Sequence, residues 1–265
     1  MTEERHFTTG DTCKIAYRLD GDPGKPWLVL ANSIATTYDM WDAQIEEFAK
    51  SFYIVRYDMR GHGGSDVPQG AYSVDRLGYD VLELLDHLQI SRACFCGLSL
   101  GGFVGQWLGI HAPERIDRLV LSNTSPYLGP RPQWDDLIQK TREPDSMNFF
   151  ADMFLGNWFP EPMLRSTPDR CKPFRQMVIS TDPQGLAGSF AAVRDADTRR
   201  SISLITTPTL VIGGVNDTVT AASHSEAIAA EIPRSKLVMM DGVHLLNVER
   251  PEEFDRVVID FLTHS

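Results

Sequence analysis

A serine flanked by glycines is the first candidate for chemistry in this sequence. Residues 94–102 read CFCGLSLGG, so an apolar run ends at Gly97 and places Ser99 between Gly97 and Gly101. The pattern G-x-S-x-G between a strand and a helix predicts a sharp, strained turn that holds a serine hydroxyl above a sheet. A side chain at either glycine would collide with the neighbouring strand or helix. The alternative is a glycine-rich turn without a reactive serine, and the residues downstream decide between the two.

A serine hydroxyl needs a base, and His244 is the candidate with the right place in the chain. It follows the apolar run Lys236–Met240 and so lies on the loop after the last predicted strand. The order serine, acid, histidine that accompanies such a serine turn selects it. Further histidines have simpler interpretations, on helices, at the termini or in a glycine-rich loop that could also line the site: His87, His111, His6, His264 and His62.

Asp217 is the predicted acid because it follows the predicted strand Thr209–Ile212 and precedes His244. A carboxylate in this place would hold the imidazole in the useful tautomer and stabilise its charged form. The competing position, after the preceding strand, carries Asn123, which cannot supply a charge. Two carboxylates nearer to the histidine are interpreted as solvated loop residues: Asp241 and Glu249.

Two backbone N–H groups are expected to bind the negative oxygen that forms when a serine attacks a carbonyl. Leu100 directly follows the serine and opens the predicted helix, so its N–H is one candidate. Ile34 lies on the loop after the predicted strand Trp27–Ala31, and by position its N–H is the second.

Short apolar runs predict the elements that position these residues. They are typical of strands buried on both faces of a mostly parallel sheet: Trp27–Ala31, Tyr53–Tyr57, Ala93–Cys96, Arg118–Leu121, Thr209–Ile212 and Lys236–Met240. The alternating run Cys13–Leu19 predicts a half-buried antiparallel strand. Helical periodicity separates the strands, with Ser73 as one N-cap and Pro251 opening the last helix. Together these patterns predict an α/β fold with a doubly wound sheet.

The segment 127–203 interrupts this alternation and predicts a helical cap over the carboxyl edge of the sheet. It contains no strand candidate and is rich in proline and aromatic residues, as in NWFPEP at 157–162. We therefore expect a core of residues 1–126 and 204–265 with a cap of residues 127–203. Large cap side chains are expected to wall a substrate pocket: Trp134, Met153, Trp158 and Phe159.

The charge balance excludes several classes of partner. Lys and Arg number 25 against 36 Asp and Glu, and the net charge of −11 argues against nucleic acid and anionic membranes. No stretch resembles a signal peptide or a membrane span, and the four cysteines lack the spacing of zinc ligands or a disulfide framework. We expect a reduced, cytoplasmic protein. The oligomeric state stays open, a homo-oligomer included.

Almost the whole chain resembles the α/β-hydrolase superfamily. Residues 58–65, DMRGHGGS, are similar to its D-x-R-G-x-G-x-S loop. Within the superfamily the likeness is greatest to 3-oxoadipate enol-lactonases, on six motifs: NS at 32–33, MWD at 40–42, RGHG at 60–63, SDVP at 65–68, FCGLS at 95–99 and HAPERI at 111–116. The resemblance implies an α/β-hydrolase fold and the opening of an enol-lactone with a carboxylate side chain, without metal or organic cofactor.

Two positions depart from the lactonase pattern. Residues 33–35 read SIA where Ser-Leu-Gly is expected, and Leu137 stands one turn after Trp134 where an arginine is expected. Arg142, with Lys140, lies nearby in the sequence and is the candidate to bind the substrate carboxylate.

The sequence thus predicts an ester hydrolase that uses Ser99, His244 and Asp217 through an acyl-enzyme, with 3-oxoadipate enol-lactone as the expected substrate. A carboxylesterase or a hydrolase of carbon–carbon bonds would use the same residues on another acyl group. A receptor of the same fold, which binds a ligand without turnover, is the alternative from another class. Dehalogenases and epoxide hydrolases of this fold are excluded because they resemble one another in carrying Asp where this chain has Ser99.

Overall fold

An eight-stranded sheet forms the centre of the computed structural model, which describes residues 3–264. Across the sheet the strands follow the order β1-β2-β4-β3-β5-β6-β7-β8. Strands β3 to β8 pair in parallel, whereas β1 and β2 add an antiparallel edge. In chain order they are β1 (Arg5–Thr8), β2 (Lys14–Asp20), β3 (Trp27–Ala31), β4 (Tyr53–Tyr57), β5 (Ala93–Leu98), β6 (Ile116–Ser122), β7 (Thr209–Gly214) and β8 (Lys236–Met240).

The mostly parallel sheet predicted from the apolar runs is confirmed. Every residue of β5 and β7 is buried, as strands covered on both faces require. Each predicted strand is present, with bounds that differ by a few residues at most. The sequence did not predict β1, because Phe7 is the only buried residue among its four and no periodic pattern can form.

Helices follow most of the strands. In chain order they are α1 (Asp42–Phe48), α2 (Val74–His87), α3 (Leu100–His111), α4 (Arg131–Lys140), α5 (Ser146–Trp158), α6 (Glu161–Ser166), α7 (Pro168–Ser180), α8 (Pro183–Asp195), α9 (Ala222–Glu231), α10 (Leu246–Glu249) and α11 (Pro251–Thr263). The predicted cap of α2 is confirmed, since Ser73 Oγ accepts a hydrogen bond from the N–H of Arg76 at 3.1 Å. Within residues 3–264 no helix has both the length and the apolar character needed to cross a membrane.

Five helices, α4 to α8, lie between β6 and β7 and form the predicted helical cap. A β-bridge between Tyr127 and Asp197 brings the two ends of this insertion together. The boundaries at 127 and 203 stay a prediction.

An aromatic cluster holds the cap together over the carboxyl ends of the strands. The ring of Phe154 stacks on Trp158 at a centroid distance of 4.8 Å and on Phe190 at 6.2 Å. The cap is also bonded to the core, because the backbone N–H of Leu245 donates to the carbonyl oxygen of Trp158 at 3.3 Å. Cap helix α5 therefore contacts the residue that directly follows His244.

We predict that Gly78→Ala lowers the free energy of unfolding by about 1–3 kcal/mol. An added Cβ would lie 2.0 Å from Cε3 of Trp107, whose indole N–H is already held by Asp75. Chemical denaturation followed by circular dichroism measures the change. Gly156→Ala is the control, since nothing lies within 4 Å of its added Cβ and alanine favours the helix by about 0.5–1 kcal/mol. Equal effects of the two substitutions would contradict the prediction.

Candidate active site

Ser99 occupies a strained turn between β5 and α3. Its backbone has φ 57° and ψ −113°, a conformation that costs a non-glycine residue of the order of 1–3 kcal/mol. The surrounding glycines explain how the turn closes. A Cβ at Gly97 would lie 2.1 Å from the carbonyl oxygen of Gly101, and one at Gly101 would lie 2.2 Å from that of Ala31. The strained turn predicted from G-x-S-x-G is therefore present.

The two residues expected to supply backbone N–H groups lie close to Ser99. Leu100 is the first residue of α3, and Ile34 lies on the loop after β3; both line the same cavity as the serine. Within residues 3–264 neither N–H donates a hydrogen bond. Two unpartnered donors at a helix start and a neighbouring loop can bind a negative oxygen.

His62 fixes the loop that carries Ile34. Its Nε2 accepts a hydrogen bond from the N–H of Ala35 at 2.9 Å, and its Nδ1 lies 3.2 Å from the carbonyl oxygen of Arg60. The imidazole is therefore neutral with its proton on Nδ1. Burial lowers the pKa of His62 to about 4. Ala35 has φ 57°, which explains the glycine expected there from the lactonase pattern and shows that this chain tolerates an alanine.

His244 and Asp217 meet at the carboxyl edge of the sheet. Nδ1 of His244 lies 2.8 Å from Oδ2 of Asp217, and the two side chains are almost completely buried. Because an ionised carboxylate only accepts, the imidazole proton is on Nδ1 and Nε2 is left as an acceptor. No hydrogen bond joins Ser99 to His244 in the described part of the chain, but both line one cavity. Such bonds commonly tighten only when substrate binds.

Five donors surround the carboxylate of Asp217. Oδ2 accepts from His244, from the amide of Asn123 and from the hydroxyl of Thr220, the last two at 2.8 Å. Oδ1 accepts from the N–H groups of Val219 and Thr220. Burial alone would raise the pKa of Asp217, but the electrostatic interaction with the imidazole of His244 and these hydrogen bonds outweigh it and hold the pKa well below its usual range. The carboxylate therefore stays ionised beneath the imidazole.

A cavity of about 130 Å³ lies between these groups and the cap. Three of the predicted substrate-binding residues line it: Trp134, Met153 and Trp158. The other two, Phe159 and Arg142, are not among the residues that line it. Phe159 follows the end of α5 and packs on Phe174 instead, with ring centroids 5.2 Å apart. Arg142 follows the end of α4 and is exposed to solvent.

The sequence did not assign three residues that the site contains. Asn123 cannot supply the charge of the acid, yet its amide donates both to Asp217 and to the carbonyl oxygen of Val243. Thr220 gave no signal before the turn after β7 was known. Asn157 lines the cavity on α5, and its spacing of four residues from Met153 would have placed it on the same helical face.

Larger clefts on the surface contain none of these groups. One of about 570 Å³ separates α7 from the residues around α1, and one of about 620 Å³ separates α1 from α11. Within residues 3–264 no three His, Cys, Asp or Glu side chains are grouped so that they could hold a metal ion.

The fold and the strained serine turn agree with a comparison of the sequence with protein families. The family described as alpha/beta hydrolase fold matches residues 26–251, which is most of the chain. This protein belongs to the α/β-hydrolase family, and the predicted hydrolase class is confirmed.

The chain is also similar to individual proteins, among them two enol-lactonases. The chain is 35% identical to 3-oxoadipate enol-lactonase 2 of Acinetobacter baylyi over 94% of this chain and 93% of that protein. A solved structure of a hydrolase from Pseudomonas aeruginosa PA01 is 53% identical, with a TM-score of 0.97 over 98% of each chain. The enol-lactonase of Burkholderia xenovorans LB400 is 35% identical, with a TM-score of 0.95 over 98% of this chain and all of the other.

We predict that Asp217→Asn lowers kcat by about 10³–10⁴-fold on any ester the protein hydrolyses, because an amide no longer fixes the tautomer of His244. Steady-state kinetics on an activated aryl ester measures it. Asp241→Asn is the matched control: Asp241 is on the loop before His244, but its side chain is 85% exposed. A similar loss in both variants, or in neither, would contradict the assignment of Asp217.

The free energy of unfolding is expected to depend on pH through the titration of His62. In the unfolded chain this histidine titrates near 6.5, whereas in the folded protein burial lowers its pKa to about 4. Between these values the unfolded chain binds the proton and the folded one does not, so acidification destabilises the fold. Burial raises the pKa values of Asp58 and Asp255 to about 7, which has the opposite sign over the same range.

The contributions of Asp58 and Asp255 cancel when the free energy of unfolding of the wild type is compared with that of His62→Gln at each pH. The stability advantage of the wild type over this variant is expected to shrink by about 2 kcal/mol between pH 7.5 and pH 5, as measured by urea unfolding. His264→Gln, at an exposed residue, is the control. A difference that does not change with pH would show that His62 is not held neutral.

Proposed function

We propose that this protein is a serine hydrolase that opens a small lactone or ester through Ser99, His244 and Asp217. The observation that carries the proposal is that Ser99, His244, Ile34 and Leu100 line one cavity. Nucleophile, base and oxyanion donors are the parts that acyl transfer requires. The buried bond between His244 and Asp217 supports the base in its reactive tautomer.

The reaction begins when Ser99 Oγ attacks the carbonyl carbon and Nε2 of His244 takes the hydroxyl proton. The carbonyl oxygen becomes negative and is bound by the N–H groups of Ile34 and Leu100. Collapse of this intermediate breaks the bond between the acyl carbon and the ring oxygen, and the leaving oxygen takes the proton from His244. An enol leaves easily and tautomerises to a ketone.

Water completes the cycle. His244 takes a proton from a water molecule, whose oxygen attacks the acyl carbon of the ester on Ser99. The same two N–H groups bind the second oxyanion, and Ser99 leaves with the proton returned by His244. The product is a carboxylic acid, and the enzyme is regenerated.

The names of the relatives favour a lactone, and 3-oxoadipate enol-lactone is the finer prediction made from the sequence. The enol-lactonases of Acinetobacter baylyi and Burkholderia xenovorans support it at 35% identity. The apolar lining of the cavity weighs against the carboxylate of that compound. A small-molecule substrate and a cytoplasmic location complete the proposal, and four free, buried cysteines agree with a reducing compartment.

Ser99→Ala is expected to lower kcat on 4-nitrophenyl butyrate by at least ~10³-fold, because no other group forms the acyl-enzyme. The release of 4-nitrophenol measures it, and a fluorophosphonate should add its mass to the wild type but not to the variant. Ser225→Ala is the control, since this hydroxyl is buried in α9, makes no hydrogen bond to the described residues and lies outside the cavity.

Two outcomes would overturn the proposed function. Turnover by Ser99→Ala close to that of the wild type would remove the serine from the mechanism. Thermal stabilisation by esters and lactones without any product would favour the receptor alternative.

A further inference from the structure

The cavity above Ser99 is small and almost entirely apolar. At about 130 Å³ it lies below the roughly 300–1,000 Å³ of pockets that bind drug-sized ligands. Its walls are aromatic and aliphatic side chains of the cap and core, among them Trp134, Leu137, Phe154 and Phe190. The rings of Phe154 and Phe190 pack on each other in this wall.

Among the described residues, the cavity is lined by four side chains with a hydroxyl, imidazole or amide group, namely Ser99, His244, Thr220 and Asn157, and by the indoles of Trp134 and Trp158. The first two carry the proposed chemistry, and the hydroxyl of Thr220 donates to Asp217. The amide of Asn157 is different. It makes no hydrogen bond to the described residues and is half-buried at the cavity wall on α5. It is therefore available to bind a polar atom of the substrate.

The basic side chains near the cap are directed elsewhere. Lys140 pairs with Glu143, and its ammonium group lies 5.0 Å from the ring centroid of Phe149. Arg194, next to the lining residue Val193, pairs with Asp135 and Asp195. Among the described residues no Lys or Arg lines the cavity.

A charged group would bind poorly in such a place. A carboxylate that leaves water without a partner loses several kcal/mol of hydration, and apolar walls return little of it. The net charge of −11 adds a repulsive field for anions. An uncharged acyl group avoids both costs.

We propose that the substrate group that fills this cavity is uncharged, and that Asn157 is a specificity-determining residue that donates a hydrogen bond to a neutral oxygen on it. This inference rests on the proposed function and narrows it to neutral lactones and esters. Anionic lactones, 3-oxoadipate enol-lactone included, are then poor substrates.

Three γ-butyrolactones with matched side chains on the ring carbon next to the ring oxygen test the proposal. The side chains are propyl, 2-carbamoylethyl and 2-carboxyethyl; the last two differ in charge but hardly in shape. We expect kcat/KM for the carboxylate to be at least ~100-fold below that for the amide, from pH-stat assays of the wild type. Values within threefold of each other, or a preference for the carboxylate, would overturn the proposal.

Three substitutions separate the effect of charge in the cavity from the effect of a hydrogen bond. Asn157→Leu should lower kcat/KM for the amide-bearing lactone by about tenfold, mainly through KM, and change the propyl lactone little. Leu137→Arg places a cation on the cavity wall at a half-buried position, and should raise kcat/KM for the carboxylate at least tenfold. Leu137→Gln has similar length without charge and should not. Equal effects of Asn157→Leu on amide and propyl lactones would remove the specificity role of Asn157.

The outcomes distinguish this inference from the proposed function. If the carboxylate is preferred and Ser99→Ala abolishes its hydrolysis, the inference fails and the serine mechanism stands. If the wild type opens none of the lactones and hydrolyses no aryl ester, the proposed function fails and the inference fails with it.

Discussion

The close approach of α3 to the ends of β3 and β5 is the constraint on which the site depends. Gly101 lies so near the backbone of Ala31 that no side chain fits there, and Ser99 in the same turn has a positive φ. The N–H of Gly101 also donates to the carbonyl oxygen of Asn32, so the start of α3 is bonded to the loop that carries Ile34. Close backbone packing thus accompanies the placement of Ser99, Leu100 and Ile34 around one cavity.

The central strands, such as β5 and β7, could be predicted because they are buried on both faces and leave continuous apolar runs in the sequence. The edge strand β1 could not, since a four-residue strand with one buried side chain, Phe7, has no period to detect. Helix α2 was predicted because its apolar face and its cap at Ser73 agree. Bounds such as those of β6 remained uncertain because hydrogen bonding, not side-chain type, decides where a strand ends.

At the site, the residues selected by chain order and turn geometry lie together in the structure, whereas two of those selected by composition lie outside the cavity. Ser99, Asp217 and His244 each follow a strand, so the parallel sheet brings them to one edge. Phe159 and Arg142 were selected because aromatic and basic residues suit a substrate pocket. Both follow the end of a helix, where the side-chain direction no longer continues the helical face, and the sequence does not show that end.

The hydrogen bond from the backbone N–H of Leu245 to the carbonyl oxygen of Trp158 joins cap helix α5 to the loop that carries His244. A substitution in the cap that shifts α5 is therefore expected to shift the imidazole of His244 as well. An exchange of the cap between related proteins should therefore include the loop that carries His244. A cap that no longer fits this loop would change the substrate selectivity and lower the reaction rate.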